Sequence, residues 1–290
     1  VTEVIRETRA MRAWSAEQRA AGRRIGFVPT MGALHEGHLD LVRRARASCD
    51  VVVASIFVNP TQFAPGEDFD AYPRTFETDH AQLAALGVEM IFAPTVDAMY
   101  PLGAEETWVE VPLLARAWCG ISRPTFFRGV ATVVTKLLAA VAPDEAFFGR
   151  KDWQQLAVVR RLAIELLLPV TIVGVATRRE PDGLAMSSRN VYLTPAERAA
   201  APGIYAALTA TRADFAAGQR DAAVLTRVLH ERLAAIPGAV TDYAGIADPA
   251  SLLPLAEGTL HDGQLMVAVR FGRARLIDNL ALAPEVRGET

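Results

Sequence analysis

Gly26-Phe27-Val28-Pro29-Thr30-Met31-Gly32-Ala33-Leu34-His35-Glu36-Gly37-His38-Leu39-Asp40 is the stretch whose reading decides the fold of this 290-residue chain. Ile25 to Val28 is a short apolar run and reads as a strand. Pro29, Gly32 and Gly37 mark a turn, and Leu39, Leu41, Val42 and Ala45 follow at helical spacing. The product is strand, glycine-bearing loop, helix. Backbone N–H groups at such a junction meet phosphate, and the helix dipole favours negative charge there. His35 and His38, at the helix start, can both donate to an oxyanion. The alternatives are a metal pair, or two polar residues capping an ordinary turn; on this stretch alone phosphate chemistry stands slightly ahead.

The flanking sequence repeats this alternation. Val4, Ile5, Met11 and Trp14 among charges predict an amphipathic helix over residues 3–21, ending near Gly22. Val51 to Val58 is continuously apolar, as in a strand covered on both faces, and Asn59-Pro60 ends it. Thr61 to Arg74, with Pro65, Gly66 and Pro73, reads as a long loop at a strand's carboxyl end, where function concentrates. A helix at Thr75–Leu86 and a strand at Val88–Phe92 follow. Thr107 to Gly120 reads as a short strand and a short helix. Then come a helix at Gly129–Ala142, a strand at Glu145–Phe148, a helix at Asp152–Leu168 and a strand at Val170–Val175. Such alternation predicts α/β architecture: a Rossmann-like parallel sheet, with ligands beyond the carboxyl ends of its strands.

The pattern then changes. Thr194-Pro195-Ala196-Glu197 is a capping box with proline at the first helical position, predicting a helix to about Ala217. A second helix is expected over Asp221–Ile236, then strands at Ala239–Ile246, Gln264–Phe271 and Ala274–Asn279. The expected division is therefore a Rossmann-like domain over 1–184 and a smaller α+β domain over 185–290.

With 51% hydrophobic and 22% charged residues and a net charge of -3, the composition is that of a soluble globular chain. It gives no reason to expect nucleic acid or an anionic membrane as partner. The most apolar run, Val130 to Ala142, is short and carries Lys136. Cys49 and Cys119 lack Cys-x-x-Cys spacing and read as buried thiols in a reducing compartment. The first ten residues carry acids and no apolar signal core, so a cytoplasmic location is expected.

Several chemistries are disfavoured by spacing. His35-Glu36-Gly37-His38 misses the four-residue interval of a zinc-protease helix, and no third ligand stands nearby. Glycines at 26, 32 and 37 do not make the dinucleotide fingerprint, and there is no Walker lysine motif.

Four blocks carry a resemblance instead: Pro29 to His38; Phe57-Val58-Asn59-Pro60-Thr61-Gln62-Phe63; Phe147-Phe148-Gly149-Arg150-Lys151-Asp152-Trp153-Gln154-Gln155-Leu156; and Gly183-Leu184-Ala185-Met186-Ser187-Ser188-Arg189-Asn190. The first and last resemble the HIGH-type nucleotidyltransferase superfamily. All four, in this order and spacing, resemble the pantothenate synthetase (pantoate–β-alanine ligase) family over most of the chain.

That resemblance implies an enzyme using ATP and Mg2+ to join pantoate to β-alanine through pantoyl adenylate, with release of pyrophosphate and then AMP. It implies that Met31, Gly32, Ala33, Leu34, His35, Glu36, Gly37 and His38 line ATP, with His38 as proton donor. Gly149, Arg150, Lys151 and Asp152, the position of Arg178, and Met186, Ser187, Ser188 and Arg189 would also meet the nucleotide. Gln62 would hold pantoate and β-alanine, Gln155 would hold pantoate, Arg123 would reach the anionic ligands, and Asp79 would contact magnesium. The family forms homodimers, mainly through the N-terminal domain, with the smaller domain as a lid that keeps water from the adenylate. Two departures stand out. Phe126 occupies a position where the family carries histidine, and Arg150 one where an acid is frequent. The rivals are a nucleotidyltransferase with a phosphate acceptor, which has no use for Gln62 and Gln155, and a nucleotide-binding protein without catalysis.

Overall fold

The computed structural model describes residues 2–103 and 106–283. In chain order the elements are β1 (Glu3–Ile5), α1 (Thr8–Ala20), β2 (Ile25–Thr30), α2 (Glu36–Arg46), β3 (Val51–Ile56), α3 (Phe76–Ala85), β4 (Met90–Phe92), α4 (Val96–Met99), α5 (Pro112–Ala115) and α6 (Cys119–Ser122). They continue with α7 (Phe126–Val141), β5 (Glu145–Gly149), α8 (Trp153–Glu165), β6 (Thr171–Val175), α9 (Pro195–Ala200), α10 (Gly203–Ala216), α11 (Ala222–Ala234), β7 (Val240–Ala247), β8 (Gln264–Phe271) and β9 (Ala274–Ala281). The chain forms two compact units. The N-terminal unit comprises the chain up to Pro112, Arg123–Arg150 and Gln155–Ala176; the C-terminal unit comprises Leu113–Ser122, Lys151–Gln154 and the chain from Thr177.

The N-terminal unit holds a six-stranded sheet in the order β1-β4-β3-β2-β5-β6. All its pairings are parallel. From β2 the chain moves outward through β3 and β4, then returns to β5 on the other side. The neighbours β2 and β5 are therefore the topological switch, where ligands bind in such sheets. Their ladder ends at Phe27–Ala146, although β2 runs on to Thr30 and β5 to Gly149. The strands are thus unpaired with each other at their carboxyl ends. Val28, Val52, Ala54, Ile91 and Phe147 are fully buried against Leu41, Val42 and Ala45 of α2. Each large side chain so buried contributes roughly 1.5–3 kcal/mol. Gly26 allows the close approach: a Cβ there would lie 3.1 Å from Cys49 Sγ and 3.3 Å from the Ala45 methyl.

The C-terminal unit is a three-stranded antiparallel sheet, β7-β8-β9. Val267, Val269, Phe271 and Leu276 on one face bury Leu208 of α10 and Leu229 and Leu233 of α11. The alternate residues, Tyr243, Gly245, Arg275 and Asn279, face the other way. They carry the two segments borrowed from earlier in the chain. Trp118 packs edge-on against Tyr243 at 5.7 Å and donates from Nε1 to Leu252 O at 2.7 Å. A Cβ on Gly245 would meet the Trp118 ring at 3.0 Å. Arg275 pairs with Asp242 at 2.6 Å and donates to Ser122 Oγ at 3.2 Å. Burial pushes the Tyr243 phenol far above its ordinary pKa, so it stays neutral beside that pair.

Several expectations are corrected. Residues 3–5 are not helix: the β-branched Val4 and Ile5 extend as edge strand β1 along β4, and the helix starts at Thr8. The helix expected over 195–217 breaks, because Pro202 has no N–H to give, and a Cβ on Gly203 would lie 3.0 Å from Ile236. Helix α7 begins at Phe126 rather than Gly129, which places Phe126 in its first turn. Between Glu106 and Gly120 the described residues form helix α5 and the start of α6, and no strand. The C-terminal unit begins at Thr177 and reaches back for residues 113–122 and 151–154, where a single cut near 185 was expected.

Candidate active site

In the N-terminal unit, the loop after β2 is held by a buried carboxylate. Gly32 and Ala33 both have positive φ, 83° and 51°. Glycine takes this conformation freely; for alanine it costs about 1–2 kcal/mol. Asp79, 1% exposed on α3, offsets the cost. Its Oδ2 accepts from Ala33 N at 2.9 Å and its Oδ1 from Leu34 N at 2.9 Å; Thr75 Oγ1 donates to both at 3.2 Å. This is the carboxylate expected to contact magnesium. Both its oxygens accept hydrogen bonds within the fold, a structural task that competes with direct coordination of a cation demanding oxygen ligands at about 2.0–2.1 Å in near-ideal octahedral geometry. Among the described residues no group of three His, Cys, Asp or Glu side chains could hold a metal ion.

The two histidines cap the helix they precede. His35 Nδ1 accepts from Gly37 N at 3.1 Å, and His38 Nδ1 accepts from His35 N at 3.4 Å, a reciprocal capping box. Their rings lie 4.1 Å apart. A nitrogen that accepts carries no proton, so Nε2 is the N–H of each ring. Capping therefore occupies the Nδ1 end of each imidazole.

At the end of β3, Gln62 is braced by a residue to which the sequence assigned no role. Asn59 is 1% exposed. It donates from Nδ2 to Gln62 Oε1 at 3.1 Å and to Gly129 O at 3.3 Å. Its Oδ1 accepts from Tyr100 OH at 2.7 Å and Thr61 Oγ1 at 3.1 Å. The other end of the Gln62 amide donates to a thioether, Met31 Sδ, at 3.1 Å. Arg123 lies beside this turn. It donates to Gln62 O at 3.1 Å, forks onto Glu67 at 2.6 and 2.5 Å, and stacks over Phe126 at 3.8 Å. Its charge is thus matched by Glu67, and Phe126 supplies a ring for stacking.

At the end of β5, a Cβ on Gly149 would meet nothing within 4 Å. Arg150 turns along β6, donating from Nε to Gly174 O at 3.2 Å. Gln155 is half-buried on α8.

The C-terminal unit carries the remaining expected residues. Its Gln154, unlike Gln155, is spent on structure, donating to Leu114 O and Ala117 O and accepting from Cys119 N. Lys151 Nζ lies 3.4 Å from Asp152 Oδ2. Arg178 uses its backbone, accepting from Met186 N at 3.0 Å. Ser187 Oγ accepts from Arg189 N at 3.2 Å and starts the 3-10 turn Ser188–Tyr192. Lys151 and Ser187, far apart in sequence, line one recess together with Ala185, Tyr205 and Asp278. The residues missed from sequence are Asn59, Tyr100 and Glu67; for Asn59 the available signal was the Asn-Pro pair inside the quoted block.

Comparison with known proteins follows the same lines. The family described as Pantoate-beta-alanine ligase matches residues 3–281. A pantothenate synthetase of Heliobacterium modesticaldum is 52% identical over 279 residues, 96% of this chain and 99% of its own. The crystal structure of a pantothenate synthetase from Thermus thermophilus superposes with a TM-score of 0.90 at 48% identity, covering 98% of this chain and 100% of that one. A pantoate-beta-alanine ligase from Francisella tularensis, complexed with beta-gamma ATP and beta-alanine, gives a TM-score of 0.78 at 32% identity, over 97% and 98% of the two chains.

Proposed function

The chain belongs to the pantoate–β-alanine ligase family and joins pantoate to β-alanine in pantothenate biosynthesis; on that premise we propose how its residues share the work. ATP and β-alanine as substrates are supported by the Francisella relative, which is complexed with beta-gamma ATP and beta-alanine. In the first step a pantoate carboxylate oxygen bonds to the α-phosphorus of ATP. The bond from that phosphorus to the bridging oxygen breaks, and pyrophosphate leaves with the electron pair. Negative charge builds on the phosphate oxygens, so the step calls for fixed N–H donors and positive charge. His35 and His38 provide Nε2–H donors, Lys151 and Arg189 provide charge, and Ser187 and Ser188 provide hydroxyls. Gly149 leaves room for the nucleotide backbone, and Asp152 takes the ribose hydroxyls.

In the second step the uncharged amine of β-alanine bonds to the acyl carbon, the bond to the AMP oxygen breaks, and the amine proton passes to solvent. This is chiefly a positioning task. Gln62 performs it for both substrates and Gln155 for pantoate. The observation that carries the reading is the Gln62 amide, anchored by Asn59 at one end and by a weak thioether acceptor at the other. A substrate oxygen is a stronger acceptor than that sulfur and replaces it. Arg150 and Arg123 take supporting roles, at β6 and at Glu67.

No side chain of this protein is assigned to magnesium; the ion, which neutralises phosphate charge, would enter on phosphate oxygens and water. No helix among the described residues is long and apolar enough to cross a membrane. Cys49 and Cys119 are free thiols, which supports a cytoplasmic location. We also propose a homodimer through the N-terminal unit, where Ile164 and Leu167 are 70% and 87% exposed; light scattering in solution tests it.

The assigned reaction is tested by exchange of labelled pyrophosphate into ATP. Exchange that requires pantoate and proceeds without β-alanine is expected. AMP formation with no pantoate requirement would overturn the proposal in favour of a different nucleotidyltransferase.

A further inference from the structure

The last strand of the C-terminal unit grips both of that unit's nucleotide-facing segments through two consecutive residues. Asn279 is 7% exposed and donates from Nδ2 to the backbone carbonyl of Lys151 at 2.8 Å. Its Oδ1 accepts from Gln264 Nε2 at 2.7 Å, and Gln264 is 3% exposed. The two amides are diagonal neighbours on one face of the β8–β9 ladder, since Gln264 pairs with Ala281 and Met266 with Asn279. Both ends of the Asn279 amide are used, in a dry setting where such bonds are strong and directional.

Its neighbour works the other segment. Asp278 receives both arms of the Arg179 guanidinium, at 2.6 and 2.9 Å, and also the Asn279 N–H at 2.8 Å. Arg179 in turn stacks over Tyr205 at 3.7 Å and donates to Gly183 O at 3.1 Å. Gly183 has φ 95°, and a Cβ there would strike the Tyr205 ring at 2.8 Å, so the turn before Met186 fits only around glycine.

The sequence offers a reason for this grip. Lys151 stands where the chain leaves the N-terminal unit, and its flexible stem places a charge only as well as its own backbone is placed. An asparagine suits the task because one short planar group carries a donor for the Lys151 carbonyl and an acceptor for Gln264. Aspartate at this position would keep the acceptor and lose the donor.

We infer that Asn279 is a positioning residue for adenylation, acting through Lys151, with Gln264 orienting its amide and the Arg179–Asp278 pair tying the 178–187 segment to the same strand. This rests on the reading of Lys151 as the cation that meets phosphate. Pantoate-dependent pyrophosphate exchange, measured on the full chain without β-alanine, isolates the step concerned. Asn279→Ala is expected to slow exchange by a factor on the order of 10–100, as for a misplacement of about 1 Å. The apparent KM for pantoate should stay within about threefold. In a Lys151→Ala background the same substitution should cost less than about twofold more, because the residue it acts through is gone. Asn279→Asp, similar in volume, should reproduce the loss and serves where the alanine variant does not fold.

Losses at Asn279 and Lys151 that multiply, or a loss that only follows the folded fraction in a circular-dichroism melt, would overturn the inference. So would near-wild-type exchange in Asn279→Ala while Lys151→Ala is slow. Wild-type exchange in Lys151→Ala would instead remove the reading of Lys151 itself, and the inference with it.

Discussion

Asn59 Nδ2 donates to Gln62 Oε1 at 3.1 Å, which sets one side-chain amide to aim another. The buried asparagine is in turn held by Tyr100 OH and by Gly129 O. Removing it frees the Gln62 amide to rotate. Asn59→Ala should therefore lower kcat on the order of 10²-fold. It should also destabilise the fold by about 1–3 kcal/mol through the orphaned partners. Steady-state kinetics and denaturant melts check both. A variant with normal kcat would make Asn59 a structural residue only.

Gly129 lets the Gln62 turn lie against α7. A Cβ there would sit 2.3 Å from Thr61 O and 2.8 Å from Gln62 Cα, both backbone atoms that cannot swing aside. Gly129→Ala should cost about 1–3 kcal/mol through overpacking. It should raise KM for pantoate and β-alanine together, since one amide is proposed to hold both. ATP affinity, measured by calorimetry, should be little changed.

Asp79 straps the loop of positive-φ residues that carries His35. Asp79→Asn removes the charge and turns one acceptor into a donor facing a backbone N–H. A loss of about 1.5–3 kcal/mol is expected, the range for hydrogen bonds to a charged group. The magnesium concentration for half-maximal rate should not move. A large shift in that titration would restore Asp79 as a metal contact.

Arg123 joins Glu67, Gln62 O and the Phe126 ring at one point. Lysine cannot fork onto a carboxylate or stack as a plane. Arg123→Lys should leave the 63–75 loop more open to limited proteolysis and slow turnover by about tenfold, a cost of about 1.4 kcal/mol. Protection equal to wild type would mean that the loop is held elsewhere.

His38→Ala should slow pyrophosphate exchange on the order of 10²–10³-fold, as for removal of one N–H donor to developing negative charge. His38→Asn retains an N–H donor and should recover part of the rate. Since the ring also caps α2, a melt must accompany the kinetics. Stability loss without a rate effect would return His38 to capping alone.

What the chain discloses unaided is what is local. The strand, glycine loop and helix around His35 follow from the periodicity of some twenty adjacent residues, and the parallel sheet from the alternation repeated after it. Asn59 shows the limit. Next to Pro60 it reads as a strand terminator, and its burial depends on partners 41 and 70 residues away. Asp79 likewise reads as one more carboxylate on a polar helix until the amides of Ala33 and Leu34, 46 and 45 residues earlier, are set beside it. The borrowed segments of the C-terminal unit depend on Arg275 and Asn279, whose reach across 153 and 128 residues no window contains. The histidines are a subtler case. Capping and phosphate donation read as alternatives in the sequence, whereas the Nδ1 contacts show that capping uses one end of each ring and is compatible with the proposed donation from the other.

The central claim is that the pantoate carboxylate attacks the α-phosphorus of ATP. Pantoate labelled with ¹⁸O in its carboxylate, turned over with ATP and β-alanine, tests this by mass spectrometry of the products. One labelled oxygen is predicted to appear in AMP and none in pyrophosphate. Label found in pyrophosphate, or absent from AMP while pantothenate accumulates, would contradict the mechanism.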